Sequence, residues 1–314
     1  MKRSGMTRIA VLGTLVGIGL LTMTVAALQR SGNPGAGNIV DVQRLRSNLY
    51  LMRGGGGNSA VFVTTTGVVV VDSKNPGWGA PLLEAIKSIT DKPVTTVINT
   101  HTHGDHVSGN VEFPATVEVI AHANTAENMK AMRPPATIPQ TGPPTNIFNQ
   151  NGGVGLPKRT FTDTLTIGTG ANRVVLRYFG RGHTNGDAWV VFPALRFAHA
   201  GDIFSGKNIP LLDSNNGGSA VEIGASLDKG FLALGTQVDA FITGHSDVMM
   251  PADLKEYAQF NKDFANDVIA AKKAGKTVDE IAATWKIPAK YAGYAEPIPA
   301  RLRGNIELVF NETK

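Results

Sequence analysis

Three histidines and one aspartate stand within six residues, His101-Thr102-His103-Gly104-Asp105-His106, directly after a β-branched stretch that ends Val97-Ile98-Asn99-Thr100. Core packing does not produce so dense a cluster of polar groups. Neutral imidazoles and carboxylates are ligands for zinc and other borderline divalent cations. His101 and His103 are two apart at the end of an extended segment, so their side chains project to the same side. Gly104 is expected to let the chain turn, returning Asp105 and His106 to the same place. Four such groups exceed what one catalytic ion with an open position needs, which points to two metals.

Further candidates follow strands that end in a glycine turn. His183 lies in Gly182-His183-Thr184-Asn185-Gly186-Asp187 after a strand ending at Phe179, Asp202 in Ala200-Gly201-Asp202 after one ending near His199, and His245 in Thr243-Gly244-His245 after one ending at Ile242. Each puts a polar residue at the C-terminal rim of a strand, where α/β proteins usually assemble sites. Taken singly, each reads as a turn with a hydrogen-bonded polar residue. Their joint occurrence in this order favours a site.

The order HxHxDH, GHT, AGD and GH resembles the metallo-β-lactamase superfamily, over nearly the whole chain beyond its first residues. The resemblance implies an α/β fold: a four-layer αββα sandwich as a single domain, residues 39–314, with a dinuclear metal site at one edge of the two sheets. It implies that one ion takes His101, His103 and His183, that the second takes Asp105, His106 and His245, and that Asp202 bridges them. Asp72, ending its strand, resembles the family's structural carboxylate that braces the metal loop. His122 and His199 remain over and read as satisfied polar side chains; His199, three residues before Asp202, is the better candidate for supporting a ligand.

The expected cofactor is zinc, two ions per chain, with iron or manganese as alternatives. Two divalent ions about 3.5–4 Å apart can share one water and lower its pKa toward roughly 7. The expected reaction is attack on an ester-like carbonyl of a lactone, thioester or ester, with Asp105 as the catalytic residue that orients the nucleophile. Many β-lactamases of the superfamily carry Cys or Ser where Asp202 stands, so this chain resembles instead the hydroxyacyl-glutathione hydrolases and lactonases. Hydrolysis of β-lactams is the first alternative, and oxidation of sulfur compounds by a single iron is the second. The complete ligand set speaks against the iron reading, and against a non-catalytic metal-binding protein, which would be expected to lack a ligand. The partner is a small-molecule substrate. Lysines and arginines are scattered rather than tracked along a groove, so no nucleic acid is expected.

The elements that must position these residues read as short strands over Ile39–Leu45, Leu49–Met52, Ser59–Thr64 and Val68–Val71, separated by Asn48, Gly54 to Gly57 and Gly67. A helix follows with Leu82, Leu83, Ile86 and Ile89 on one face, then a strand over Val94–Asn99 and a helix over Ala123–Met132. Residues 133–157 hold six prolines and read as a surface loop, a candidate lid. Strands are expected over Phe161–Ile167, Arg173–Phe179, Ala188–Phe192, Arg196–Ala200 and Ala240–Thr243. Helices are expected over Ala220–Leu234, Pro251–Ala274, Val278–Thr284 and Arg301–Phe310. Substrate specificity is expected from Gly54–Gly57, the 133–157 loop and the segment around Tyr291 and Tyr294.

Among 314 residues there are 30 Lys+Arg, 25 Asp+Glu and no cysteine. Disulfide scaffolds, thiol nucleophiles and iron–sulfur clusters are thereby excluded. Lys2, Arg3 and Arg8 precede the apolar run Ile9–Leu28, with Ala26 and Ala27 near its end. Residues 1–27 read as a signal peptide or, uncleaved, as an N-terminal membrane anchor, followed by a linker at 28–38. Export to the periplasm or medium is the expectation. Removing the first 27 residues takes the formal charge from +5 to +2, so the apparent basicity belongs largely to that segment.

Overall fold

Nearly every central strand is apolar on both faces, so each sheet needs two covers. The computed structural model describes residues 38–136 and 145–314. Its first sheet holds, side by side and in chain order, β1 (Asp41–Arg44), β2 (Leu49–Arg53), β3 (Ser59–Val63), β4 (Val68–Val71), β5 (Val94–Asn99), β6 (Glu118–His122) and β7 (Arg159–Phe161). Neighbours are antiparallel from β1 to β4 and parallel from β4 to β7. The second sheet contains β8 (Thr164–Ile167), β9 (Val174–Tyr178), β10 (Ala188–Phe192), β11 (Phe197–Gly201) and β12 (Ala240–Thr243), ordered β12-β11-β10-β9-β8. Only β11 and β12 run parallel there.

Strand alternation sorts the apolar side chains into three layers. Val69, Val71, Ile98 and Ile120 from the first sheet meet Leu176, Val190, Phe192 and Ile242 from the second in the central core. Val68, Val70, Val97 and Val119 face outward and are covered by Leu82 and Ile86 of α1 (Gly79–Lys87). The next three helices are α2 (Gly104–Val107), α3 (Ala123–Ala131) and α4 (Ile147–Gln150). The outer face of the second sheet, with Trp189, Val191, Ala198 and Phe241, packs on α5 (Ile223–Leu234), α6 (Pro251–Lys273) and α8 (Pro299–Glu312), through Leu227, Leu254, Phe264, Leu302 and Ile306. Between the last two lies α7 (Val278–Thr284). This is the αββα sandwich that the motif order implies.

Several expectations need correction. The continuous strand expected over Phe161–Ile167 is two strands in different sheets: β7 pairs with β6, and β8 pairs with β9. The chain changes sheets at Thr162–Asp163, where alternation alone cannot register a corner. Strand β6 has no counterpart in the sequence expectations, and α4 sits inside the segment expected to be loop. Residues 1–37 and 137–144 lie outside the described residues, and with them the signal peptide or anchor, most of the linker and the middle of the candidate lid. Among the described residues no helix is long and apolar enough to cross a membrane.

Candidate metal centre

The polar cluster is assembled where β4, β5, β9, β11 and β12 end. Residues 101–103 extend beyond β5, and His103 then stands at the N-cap of α2, whose single turn carries Asp105 and His106 back toward His101. The reversal is helical. Gly104 does not adopt a positive φ, so its conformational freedom is not what makes the turn. The rings of His101 and His103 lie 4.8 Å apart, and those of His101 and His106 4.2 Å.

All seven residues expected as ligands converge. His101, His103, His183 and Asp202 offer ligand atoms within 4.8 Å of one another, and so do Asp105, His106 and His245. Asp202 stands between the sets: Oδ2 is 3.9 Å from His101 Nε2, 3.7 Å from His183 Nε2 and 3.3 Å from His245 Nε2, and Oδ1 is 3.3 Å from His106 Nε2. His103 Nδ1 lies 3.0 Å from His183 Nε2, and His106 Nε2 lies 3.2 Å from His245 Nε2. Nitrogens each about 2.0–2.1 Å from one tetrahedral ion are about 3.3 Å apart, so these spacings suit shared cations. His101 Nε2 and Asp202 Oδ1 are buried without a hydrogen-bond partner. Both are acceptors aimed into the cluster, and a cation is the group that would satisfy them.

Outer hydrogen bonds select the nitrogen each ring presents. His106 Nδ1 donates to Asp72 Oδ2 at 2.7 Å, which leaves Nε2 for the cluster. The same carboxylate accepts from the Thr100 backbone N–H at 2.8 Å and from Thr100 Oγ1 at 2.7 Å, while His101 Nδ1 lies 3.0 Å from that hydroxyl. Asp72 therefore orients His106 directly and His101 through Thr100. It holds a left-handed conformation (φ 63), which aspartate tolerates better than most residues. His183 Nδ1 donates to the Leu211 carbonyl at 2.6 Å, and His103 Nε2 donates to Asp213 Oδ2 at 2.8 Å. Leu211 and Asp213 sit in an irregular segment, and sequence reasoning missed both. The one available signal, an Asp before Ser214-Asn215-Asn216, marks a turn: the Asp213 carboxylate also caps that short 3₁₀ helix.

The two leftover histidines are satisfied polar groups. His122 donates to the Thr162 carbonyl and caps α3. His199 donates to the Asn58 carbonyl, and Asn58 bonds the backbone of Thr243, Gly244 and Ser246. Its support of the ligand rim runs through that backbone rather than through a ligand.

Burial differentiates the titration of the two sets. It holds His101 well below the ordinary imidazole range, with His106 adding to the effect, and lowers His183 to about 4, with His103 assisting. Both are neutral and present lone pairs. Burial opposes a charge on His106 as well, but Asp105, Asp202 and Asp72 outweigh it and raise the ring to about 9. At His245 the dominant cause is Asp202, which with Asp105 overcomes burial and brings the ring to about 11. Burial also disfavours the ionised forms of Asp105 and Asp202, yet the neighbouring His106 and His245 hold both carboxyls well below their usual range. Without a cation, the second set thus keeps protons at neutral pH that a metal must displace. Zinc titration of metal-free protein at pH 7 is expected to release on the order of one to two protons per chain, read as a buffer-dependent heat. Release should diminish as pH rises through about 9, where His106 loses its proton unaided. A heat independent of buffer would contradict this account.

A cavity of about 420 Å³ opens onto the cluster, lined by His103, Asp105, His183, Asp202 and His245 together with Pro135, Ser205, Asn208 and Arg301. Pro135 is the contribution of the 133–157 segment among the described residues. Gly54–Gly57 do not line the cavity. Tyr291 and Tyr294 are also absent from its wall; they pack against Phe260, edge-on and tilted, with ring centroids 5.0 and 4.4 Å away. The C-terminal part reaches the cavity through Arg301, which nothing in the residue pattern singles out.

The fold and the donor set define a metallohydrolase-like architecture, and comparison with known proteins gives its family. Residues 52–249 match the family model of the metallo-beta-lactamase superfamily, and the chain belongs to that superfamily. It is 24% identical over 262 residues to the 2,4-dinitroanisole O-demethylase subunit alpha of Nocardioides sp. (strain JS1661), covering 82% of this chain and 72% of that protein. Among solved structures it resembles a metallo-beta-lactamase from Pontibacter korlensis (TM-score 0.57, 17% identity, 71% of this chain and 99% of the other). It also resembles the stereoselective inverting sec-alkylsulfatase Pisa1 from Pseudomonas sp. (TM-score 0.67, 16% identity), covering 87% of this chain but 50% of that longer one. At these identities the structural likenesses establish the fold.

Proposed function

We propose that this chain is a metal-dependent hydrolase whose centre holds two divalent cations, zinc foremost, and that it cleaves an ester-like carbonyl substrate. The observation that carries the reading is the position of Asp202, with one carboxylate oxygen toward His101, His183 and His245 and the other toward His106. His101, His103 and His183 would hold one cation, Asp105, His106 and His245 the other, and Asp202 would face both. Cations bound there would supply Lewis acidity, lowering the pKa of a water and polarising a carbonyl oxygen. The protein's own part is orientation. Asp105 lines the cavity with an ionised carboxylate and can accept a hydrogen bond from the attacking water. Asp72, Thr100, Asp213 and the Leu211 carbonyl hold the imidazoles in register, so little rearrangement accompanies reaction.

The likeness to the Nocardioides demethylase subunit over 82% of this chain supports a second reading, cleavage of an activated aryl ether at the same centre. One screen separates the readings: the purified protein, its metals counted, is offered lactones, thioesters, aryl esters, β-lactams, a secondary alkyl sulfate and 2,4-dinitroanisole. Two zinc ions per chain with turnover of a carbonyl substrate, lost on chelation and restored by zinc, is the expected result. One iron per chain with oxygen uptake would overturn it, and turnover of the ether alone would favour the second reading.

A further inference from the structure

Among the described residues, the cavity wall carries one cation that the metal centre does not use. Arg301 stands in the first turn of α8, where Leu302, Ile306 and Val309 are buried against the second sheet and its helices. It lines the same cavity as Asp105, Asp202 and His245. Other basic side chains in this region have carboxylate partners: Lys207 lies 3.1 Å from Glu256, and Arg303, two residues on, lies 3.0 Å from Asp279. Arg301 has none among the described residues, and neither residues 1–37 nor residues 137–144 contain an Asp or Glu. Its one hydrogen bond is long, 3.4 Å from Nη1 to the Ile209 carbonyl. A guanidinium has five N–H donors in a planar fork that matches an oxyanion, so among the described residues most of its capacity is unused.

The carboxylates on the same wall do not compete for it. Asp105 and Asp202 are engaged with His106 and His245, and would be ligands in the loaded protein. The neighbouring side chains Ser205, Asn208 and Ser246 are neutral. We infer that Arg301 is a specificity-determining residue that binds a carboxylate or similar oxyanion carried by the substrate at the end away from the bond that is cleaved. The inference rests on the hydrolase reading of the centre and deepens it: the substrate class becomes anionic carbonyl compounds. Bidentate pairing would fix the substrate's far end while its reacting end lies at the metal ligands, a clamp of the kind that converts binding into orientation.

The test uses the zinc-loaded full chain, with metal content measured for every variant. Mono-4-nitrophenyl glutarate and 4-nitrophenyl butyrate present the same aryl ester with and without a distal carboxylate. In the parent the glutarate ester is expected to have the higher kcat/KM, and Arg301→Ala should lower the glutarate-to-butyrate ratio about 10- to 100-fold, chiefly through KM. Arg301→Lys should recover part of that ratio, because charge is restored without the fork. Calorimetry with free glutarate and butyrate gives a reading independent of turnover: the parent should prefer glutarate, and Arg301→Ala should lose the preference. If neither ester is hydrolysed, the hydrolase reading fails and the calorimetric preference still decides the role of Arg301. A parent without preference for glutarate, or an Arg301→Ala variant that weakens both ligands by one factor, would overturn the inference and leave Arg301 as a support for the Ile209 carbonyl.

Discussion

Asp202→Ala is expected to lose metal from both halves of the centre and to lower kcat/KM on the order of 10³-fold, beyond the 10- to 100-fold typical of an outer partner's loss. The reason is geometric. Among the described residues no other carboxylate lies between His101 and His183 on one side and His106 and His245 on the other. Asp202→Asn keeps the shape and one oxygen but removes the charge, so it should retain more metal than the alanine variant and less than the parent. Metal-free protein gives a second readout by NMR. Since Asp202 is the main cause of the raised His245 pKa, its removal should bring that ring down toward the ordinary imidazole value. A variant with two metals per chain and parental turnover would refute the bridging role.

The candidate ligands were legible because the chain concentrates them. His101, His103, Asp105 and His106 fall within one strand end and one helical turn, and His183, Asp202 and His245 each follow a strand at a glycine. The layers were legible for a related reason, since a short β-branched run such as Val68–Val71, bounded by turn signals, reads as a strand covered on both faces. What holds the ligands was less legible. Asp72 could be named by resemblance, but its reach to His101 through the Thr100 hydroxyl depends on two strand ends meeting. Asp213 and the Leu211 carbonyl come from an irregular segment with no periodicity, and a backbone carbonyl leaves no trace in residue type. Alternation likewise cannot tell one strand from two that share a corner, which is why β7 and β8 read as a single element. Arg301 escaped notice because its meaning lies in the missing partner. In sequence, Arg301-Leu302-Arg303 shows two similar cations, and only their surroundings separate the paired from the unpaired one.

Glycine supplies the sharpest contrast between sequence intuition and structure. Gly104, inside the histidine motif, looks indispensable, yet a Cβ built there meets nothing nearer than Ser108 Oγ at 3.2 Å. Gly244 looks like an ordinary turn residue, yet its Cβ would stand 1.6 Å from Asp202 Oδ1. The backbone cannot withdraw to make room. The Gly244 N–H donates to the Gly201 carbonyl at 2.9 Å, and its own carbonyl accepts from the Asn58 N–H at 2.6 Å, so both sides of the residue are tied to neighbouring rims. Asp202 must therefore rotate out from between the two histidine sets, and Gly244→Ala should act as a disguised Asp202 variant without altering a ligand. A loss of at least about 100-fold in kcat/KM is expected, since a displacement of about 1 Å at a reacting centre can cost that much. Metal content should fall in parallel, whereas Gly104→Ala should cost far less, because its ordinary φ and helical position favour alanine. Metal counts and kcat/KM for the two variants decide the matter. Equal losses, or a larger loss at Gly104, would mean that the close approach of Gly244 to Asp202 does not control the centre.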